Sequence, residues 1–114
     1  MVPQGALATK VNDVIATLGL TQEEVGSIVD ASPRTVARWS SGQVTPQKLN
    51  KQRLLELAYV ADVAADVFPP DKVNLWLLSP NRQLDHDTPA ERIRAGHFKD
   101  VLGLMEAIAD GVVI

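Results

Sequence analysis

Residues 21–39 read T-Q-E-E-V-G-S-I-V-D-A-S-P-R-T-V-A-R-W, a stretch that predicts two short helices joined by a tight corner. Thr21 and Glu24 form the capping-box pattern that starts a helix, because each side chain can accept a hydrogen bond from the other residue's backbone amide. Ser32 and Pro33 start the second helix, since serine caps helix amides and proline needs no amide hydrogen at the first helical position. Both helix starts are therefore encoded locally.

The spacing of apolar residues indicates which sides of these two helices are buried. A small residue, Gly26, lets the second helix approach the first closely. The predicted inward residues are Val25, Ile28 and Val29 in the first helix and Val36 and Trp39 in the second. Arg34, Thr35 and Arg38 are left facing outward, as in a helix that enters a DNA major groove. The alternative is a hairpin buried in a bundle, which would not leave two arginines outside.

This arrangement resembles the helix-turn-helix of the Xre/Cro repressor family, which has a small residue early in the first helix and an apolar one midway along the second. One position departs from the family pattern. The corner usually carries a glycine in the left-handed conformation, and the matching residue here is Asp30. Aspartate tolerates that conformation better than most other residues, so the resemblance still implies a DNA-binding unit.

Individual DNA contacts can be assigned on this unit. Arg34 and Arg38 lie one turn apart and are expected to reach base edges, preferably guanine, while Thr35 is placed to contact a thymine methyl group. Other residues at the helix starts and in the following loop are expected to hold the phosphate backbone. They are Thr21, Gln22, Ser32, Gln43, Thr45 and Lys48. Since one such unit buries little surface on DNA, a two-fold homodimer is expected.

The net charge of −3 conceals two halves of opposite sign. Residues 1–53 carry six basic and four acidic side chains, a balance of +2, and the remainder carries five and ten, a balance of −5. Within residues 34–53 there is no acid at all. Phosphate binding depends on the local patch, so the front half favours nucleic acid and the acidic rear half favours another partner.

Periodicity predicts an almost entirely helical chain. A first helix is expected over about 6–18, and a long fourth helix from Pro46 to about Phe68. This long helix has two apolar stripes, which predicts that it lies between the front half and either the rear half or another copy. The stripes are Leu54, Leu57, Ala58, Ala61, Ala65 and Phe68, and Leu55, Tyr59, Val63 and Val67. Pro69-Pro70 then marks a boundary between residues 1–68 and 69–114.

The rear half is predicted to hold short helices over 71–78 and 89–95 and a last helix over 97–109. It contains W-L-x-S-P-N-x-x-L from Trp76, then T-P, A-G-H-F-K-D-V-L and I-A-D-G. This order resembles the toxin-binding region of the Xre/MbcA/ParS antitoxins, closest to the MbcA branch. The resemblance implies an all-α protein in which a helix-turn-helix lobe is joined by a long helix to a small toxin-binding lobe. It also implies a partner toxin with a RES domain that degrades NAD, and repression of the antitoxin's own operon.

The end of the chain suggests how such a toxin is inhibited. A cleft that admits a dinucleotide can be filled by a short apolar tail, here Gly111, Val112, Val113 and Ile114, with the terminal carboxylate imitating a phosphate. The alternative is that this tail packs on its own lobe or frays. In the connector, Asn81 and Arg82 offer hydrogen bonds to a toxin, and a local turn is the alternative.

Other functional classes find little support in the sequence. The chain has no cysteine, which excludes disulfides, thiolate catalysis and cysteine zinc sites. His86 between Asp85 and Asp87 has no second histidine at ligand spacing, so no metal, cofactor or enzymatic activity is predicted. No leader or membrane-spanning segment is expected, which fits a cytoplasmic protein. Two alternatives remain: a stand-alone regulator whose rear lobe dimerises or senses a ligand, and an adaptor that no longer binds DNA.

Overall fold

The computed structural model describes residues 3–111 of the chain, with side chains from residue 7 onward. Within that range the protein consists of seven α-helices, one 3-10 turn at Arg82–Leu84 and no strand. The predicted all-α fold is therefore confirmed. The helices are α1 (Pro3–Leu18), α2 (Gln22–Val29), α3 (Pro33–Ser40), α4 (Lys48–Val67), α5 (Pro70–Leu78), α6 (Pro89–Arg94) and α7 (Phe98–Ala109). None of the helices described has the combined length and apolarity of a membrane span.

Local capping signals explain most helix starts. Proline occupies a first-turn position in α3, α5 and α6, where its missing amide hydrogen costs nothing. A second capping box that the sequence reading overlooked opens α6, where Thr88 and Glu91 each accept a hydrogen bond from the other's amide. The predicted start of α4 at Pro46 is wrong, because Gln47 is extended, with ψ of 166°, and the helix begins only at Lys48.

One hydrophobic core extends across the predicted boundary at Pro69. Helix α4 is its centre and packs against α1 and α2 from the front half and against α5, α6 and α7 from the rear half. Fully buried residues such as Val11, Leu57 and Met105 come from α1, α4 and α7 and belong to the same cluster. Asn74 of α5 also donates hydrogen bonds to the carbonyls of Leu18 and Gly19, at 3.0 and 2.9 Å, so α5 caps the end of α1.

The predicted burial of two stripes on α4 is partly wrong. The buried face consists of Leu54, Leu57, Ala58, Val60, Ala61 and Ala64. Ala65 of the first predicted stripe is exposed. In the second stripe Val63 and Val67 are half-buried, but Leu55 and Tyr59 are 44% and 55% exposed. Helices α1, α2, α5, α6 and α7 all pack on the buried face of α4. The opposite face, which carries Leu55 and Tyr59, is therefore left exposed.

Candidate DNA-binding and partner-binding surfaces

The predicted starts of α2 and α3 are confirmed in detail. Thr21 Oγ1 accepts from the Glu24 amide at 3.0 Å, and Glu24 Oε1 accepts from the Thr21 amide at 2.9 Å, which completes the capping box. At the next helix Ser32 Oγ accepts from the Thr35 amide at 3.1 Å. The first amides of a helix have no partner within the helix. Because these side chains accept hydrogen bonds from such amides, the starts of α2 and α3 are set by local residues.

The corner residue between α2 and α3 adopts the left-handed conformation, although it is an aspartate where the repressor family usually has glycine. Asp30 has φ 61° and ψ 55° and is exposed. Aspartate enters this region at a smaller cost than most residues, so no glycine is required. Asn50 of α4 donates to the carbonyls of Val29 and Asp30, at 2.8 and 3.1 Å. These two bonds tie the corner to the central helix, and nothing in the local sequence pattern indicated them.

Gly26 is the residue that allows the corner to close. A Cβ built at this position would lie 2.2 Å from the carbonyl oxygen of Ala31. That contact is with backbone of the corner itself, which cannot rotate away as a flexible side chain would. The predicted role of Gly26 as a close-approach residue is therefore confirmed, and the approaching group is the corner backbone.

We expect Gly26→Ala to lower the free energy of unfolding by about 2 to 3 kcal/mol, since the added methyl must displace backbone in a packed interior. Gly103→Ala is the matched control, because Gly103 also lies inside a helix but has no atom within 4 Å of the added Cβ. The control should raise stability by about 0.5 to 1 kcal/mol through helix propensity. Urea unfolding followed by circular dichroism measures both, and equal effects at the two positions would contradict the packing account.

The outer side of α3 carries two arginines that no described side chain pairs with. Arg34 and Arg38 are exposed, and neither has an ion-pair partner among residues 7–111. Val36 and Trp39 are 0% and 3% exposed, which confirms their predicted inward orientation. Thr35 is only half-exposed, and its hydroxyl lies 2.9 Å from Ser32 Oγ. The Thr35 and Ser32 hydroxyls thus bond to each other at the cap, and the arginines are the long side chains left facing solvent.

The remaining residues predicted to contact phosphate surround these two helices. Thr21 and Gln22 open α2, Lys48 opens α4, and all three are exposed. Gln43 and Thr45, in the loop after α3, are also exposed. The Gln43 amide donates to the Arg38 carbonyl at 2.9 Å, which holds the start of this loop against the end of α3.

A side-chain pair that the sequence reading overlooked anchors the other end of α3. Asn12 of α1 donates to the Ser40 carbonyl at 3.0 Å, and Ser40 Oγ donates to Asn12 Oδ1 at 2.6 Å. These bonds hold the last residue of α3 against α1, while Ser32 caps the first turn. Asn12 therefore ties the end of α3 to α1, and Asn50 ties the corner before α3 to α4.

In the rear half, Asn81 organises a compact turn. Its Oδ1 accepts from the Gln83 amide at 2.9 Å, and its carbonyl accepts from the amides of Leu84 and His86 at 3.0 and 2.9 Å. The local turn that the sequence left open as an alternative is thus present. Arg82 on the same turn is exposed and has no ion-pair partner among the described side chains. The turn presents Arg82 outward and uses Asn81 to hold its own shape.

Arg92 of α6 connects this turn to α7 and was absent from the predicted site. It donates to Asp87 through Nε and to Asp100 through Nη1, both at 2.9 Å, and to the Leu84 carbonyl through Nη2, also at 2.9 Å. The hydrogen bond with Asp87, together with that to Asp100, raises the pKa of Arg92 above its ordinary value. Asp85 lies 3.7 Å away on the same guanidinium. These aspartates are therefore partners of Arg92. Among the described side chains, no three His, Asp or Glu residues come together so that they could hold a metal ion.

Arg92→Met should loosen the turn while keeping much of the side-chain volume, because the Asp87, Asp100 and Leu84 contacts all depend on the guanidinium. We expect faster amide hydrogen exchange at Leu84 and His86, with α1 to α4 unchanged. Arg94→Met is the matched control, since Arg94 is exposed and its one hydrogen bond among the described residues is the 3.5 Å bond to Ser27 Oγ. Exchange measured by mass spectrometry should separate the two variants, and identical protection would show that Arg92 does not hold the turn.

Helix α7 leads to the predicted apolar tail. Val101, Leu104 and Met105 are buried on its inner side, and Leu102 and Ile108 are half-buried. Gly111 follows the helix with φ of 80°, and a Cβ added there would meet nothing within 4 Å. The other three residues of the predicted tail, Val112, Val113 and Ile114, lie outside the described residues.

Comparison with known proteins gives a consistent result. The chain is 59% identical over 108 residues to the mycobacterial cidal antitoxin MbcA of Mycobacterium tuberculosis and of Mycobacterium bovis, covering 95% of this chain and 96% of theirs. The chain belongs to the MbcA antitoxin family. A "probable mycobacterial cidal antitoxin" of M. tuberculosis is 28% identical over 94% of this chain and 91% of its own length. No protein-family model matches the chain.

The MbcA likeness extends to three dimensions. A chain in the crystal structure of the M. tuberculosis MbcT-MbcA toxin-antitoxin complex superposes with a TM-score of 0.86 and 59% sequence identity. The match covers 95% of this chain and 97% of that one. The resemblance to the MbcA branch seen in the sequence motifs is therefore confirmed by sequence identity and by fold.

Proposed function

We propose that this protein is the antitoxin of a toxin-antitoxin pair and that it binds and inhibits a RES-domain toxin that degrades NAD. The observation that carries the proposal is the near full-length likeness to MbcA, whose solved structure is a complex with the toxin MbcT. The RES domain and the NAD-degrading activity rest on the resemblance to the Xre/MbcA/ParS antitoxins. Residues 69–114 carry five basic and seven acidic side chains, an acidic balance that supports a protein partner there rather than DNA.

The toxin-binding part of the proposal is residues 69–114. Helix α7 is held on the core by Val101, Leu104 and Met105, so it forms a rigid base for the segment that follows it. Residues 111–114 carry no charged side chain and are proposed to enter the toxin cleft. Arg82, exposed on the Asn81 turn, is proposed to contact the toxin beside the cleft, with Asn81 holding the turn in shape.

The DNA-binding part of the proposal is residues 1–68, with repression of the operon through α2 and α3. The support is the exposed pair of arginines on α3, which make no ion pair with side chains 7–111, on a helix tied to α1 at its end and to α4 at the corner before it. Arg34 and Arg38 are proposed to read bases, while Thr21, Gln22, Gln43, Thr45 and Lys48 hold phosphates. The capping bonds made by Ser32 and Thr35 leave those two residues a smaller part in contacting DNA.

The test of the proposed function is to look for a RES-domain gene beside the gene for this chain and to coexpress the two proteins. We expect the toxin alone to arrest growth and to deplete intracellular NAD, and coexpression of this chain to restore both. The control is the same chain expressed with an unrelated growth inhibitor, which it should not neutralise. Growth arrest with NAD loss despite stable coexpression would overturn the antitoxin proposal and would favour a stand-alone regulator.

A further inference from the structure

Asn50, in the first turn of α4, holds the corner between α2 and α3 from outside those two helices. Its Nδ2 donates to the Val29 carbonyl at 2.8 Å and to the Asp30 carbonyl at 3.1 Å. A side-chain amide carries two hydrogens in one rigid plane, so both carbonyls must lie at set positions relative to α4. The side chain is half-buried, and both of its donor hydrogens are committed within the protein.

The two carbonyls that Asn50 binds lie where the chain turns toward α3. The amides of Asp30 and Ala31 both donate to the Gly26 carbonyl, which closes the end of α2. These local bonds hold amides and leave the carbonyls of Val29 and Asp30 to Asn50. Because the peptide unit is planar, the direction of a carbonyl follows from the backbone dihedral angles of its residue. A donor that fixes two successive carbonyls therefore fixes the angles through which the chain enters α3.

Helix α4 provides a rigid reference for these bonds. Leu54 and Leu57, one and two turns after Asn50, are 0% exposed and belong to the core shared by the front and rear halves. Close-packed interior residues change position little, so a donor on this helix has a fixed place in the protein. Asp30 also holds its left-handed conformation less readily than a glycine would, so the corner gains from an external hold.

The other end of α3 is tied to a different helix. Asn12 of α1 donates to the Ser40 carbonyl and accepts from the Ser40 hydroxyl. With that end held, release of the corner would let α3 pivot about Ser40, so that the corner end moves most. A helix of eight residues is about 12 Å long, so a pivot of about 10° shifts its free end by about 2 Å. Arg34, the second residue of α3, would move by more than the roughly 0.6 Å that a hydrogen bond of normal length tolerates.

We propose that Asn50 is a positioning residue for DNA reading, which sets the place of Arg34 on the bases through the Val29 and Asp30 carbonyls and does not itself touch DNA. The proposal rests on the proposed DNA binding by α2 and α3, and it adds a determinant of specificity outside those two helices. A residue that only stabilised the fold would act through the unfolded fraction and weaken binding to every duplex. A positioning residue lowers the preference for the operator in the fully folded protein.

Asn74 supplies a matched control. It is also a half-buried asparagine whose Nδ2 donates to two successive carbonyls at a helix end, those of Leu18 and Gly19, at 3.0 and 2.9 Å. Its bonds hold the end of α1 and not the corner before α3. Asn50→Ala and Asn74→Ala therefore remove the same group and an equivalent pair of hydrogen bonds. We expect similar shifts in the midpoint of urea unfolding, and we expect only Asn50→Ala to change DNA reading.

Fluorescence anisotropy with an operator duplex and a scrambled duplex, at a temperature where both variants are folded, measures the change. Asn50→Ala should lower the ratio of operator affinity to scrambled affinity about tenfold, the loss expected when one arginine no longer reads its base. Affinity for the scrambled duplex should stay within about twofold of the wild type, because the phosphate contacts remain. Asn74→Ala should keep the wild-type ratio, and equal ratios for the two variants would overturn the proposal.

A double-mutant cycle shows whether Asn50 acts through Arg34. Arg34→Ala should cost about tenfold in operator affinity in the wild-type chain but less than about threefold in the Asn50→Ala chain, because the arginine is already displaced there. In the Asn74→Ala chain the same change should keep its full cost. Additive losses for Asn50→Ala and Arg34→Ala would contradict the positioning role.

Residual dipolar couplings of the free protein give a test that needs no DNA. In Asn50→Ala the couplings of α3 should no longer fit the orientation that α3 has against α4 in the wild type, whereas those of α1 and α4 should keep their fit. In Asn74→Ala the couplings of all three helices should fit. An unchanged α3 in Asn50→Ala would overturn the proposal even if α3 binds DNA. If α3 turns as expected but the wild type does not prefer the operator, the proposed DNA binding fails, and the role of Asn50 in DNA reading fails with it.

Discussion

A chain that lacks residues 111–114 is expected to lose protection against the toxin while it keeps its affinity for operator DNA. The deletion removes three apolar side chains, Val112, Val113 and Ile114, each worth about 1.5 to 3 kcal/mol if buried in the toxin cleft. Their combined loss should weaken toxin binding by at least about a thousandfold. Operator affinity should change less than about twofold, because the deleted segment lies outside residues 1–68, the proposed DNA-binding part.

Titration of the purified toxin with each variant, followed by residual NAD degradation, measures this effect. A variant with Val112→Ser and Val113→Ser keeps the length of the chain and removes two of the three apolar side chains. It should also lose most of its inhibition if apolar burial is the cause. The control is Lys99→Ala, an exposed position on α7 that precedes the tail by more than ten residues. Unaltered protection by the shortened chain would remove the tail from the inhibitory mechanism.

Replacing both Arg34 and Arg38 with alanine is expected to abolish specific operator binding. Each arginine that reads a base edge contributes about 1 to 3 kcal/mol of discrimination at its base pair, so the pair contributes about 2 to 6 kcal/mol per subunit. Both side chains are exposed and unpaired within the described part of the chain, so their removal should not disturb folding. Toxin inhibition by the double variant should equal that of the wild type.

Fluorescence anisotropy with an operator duplex and a scrambled duplex, at several salt concentrations, measures the specific and the non-specific terms separately. Lys48→Ala provides the contrast, because a phosphate contact weakens binding to both duplexes alike and lowers the salt slope by about 1. Lys99→Ala removes one cation from α7, outside residues 1–68, and should leave both affinities nearly unchanged. Equal operator affinity of the wild type and the double arginine variant would show that α3 does not read DNA.

The features that were predicted correctly from the sequence are those set by residues close together in the chain. Three such features depend on residues three or four positions apart, so short-range spacing is enough to predict them. They are the capping box at Thr21, the serine cap at Ser32 and the burial of Val36 and Trp39. The left-handed corner at Asp30 was implied by the resemblance to the Xre/Cro repressors and not by local spacing, and Asp30 adopts that conformation here.

What sequence reasoning missed depends on contacts between distant segments. Asn50 and Asn12 bind backbone carbonyls more than twenty residues away, and Arg92 joins a turn to α7. A polar residue in a helix gives no sign of whether it faces water or a carbonyl of another element. The same limit explains the error on α4, since hydropathy shows that Leu55 and Tyr59 are large and partly apolar but not whether their own chain covers them.

The central claim is that residues 1–68 bind DNA, that residues 69–114 bind the toxin, and that neither activity of the full chain requires the other. The most direct measurement takes two variants, the deletion of residues 111–114 and the Arg34→Ala/Arg38→Ala pair, and determines the affinity of each for the toxin and for the operator. The account predicts that the deletion loses only the toxin and that the arginine pair loses only the operator. A folded arginine variant that no longer binds the toxin, or a deletion that no longer binds the operator, would contradict it.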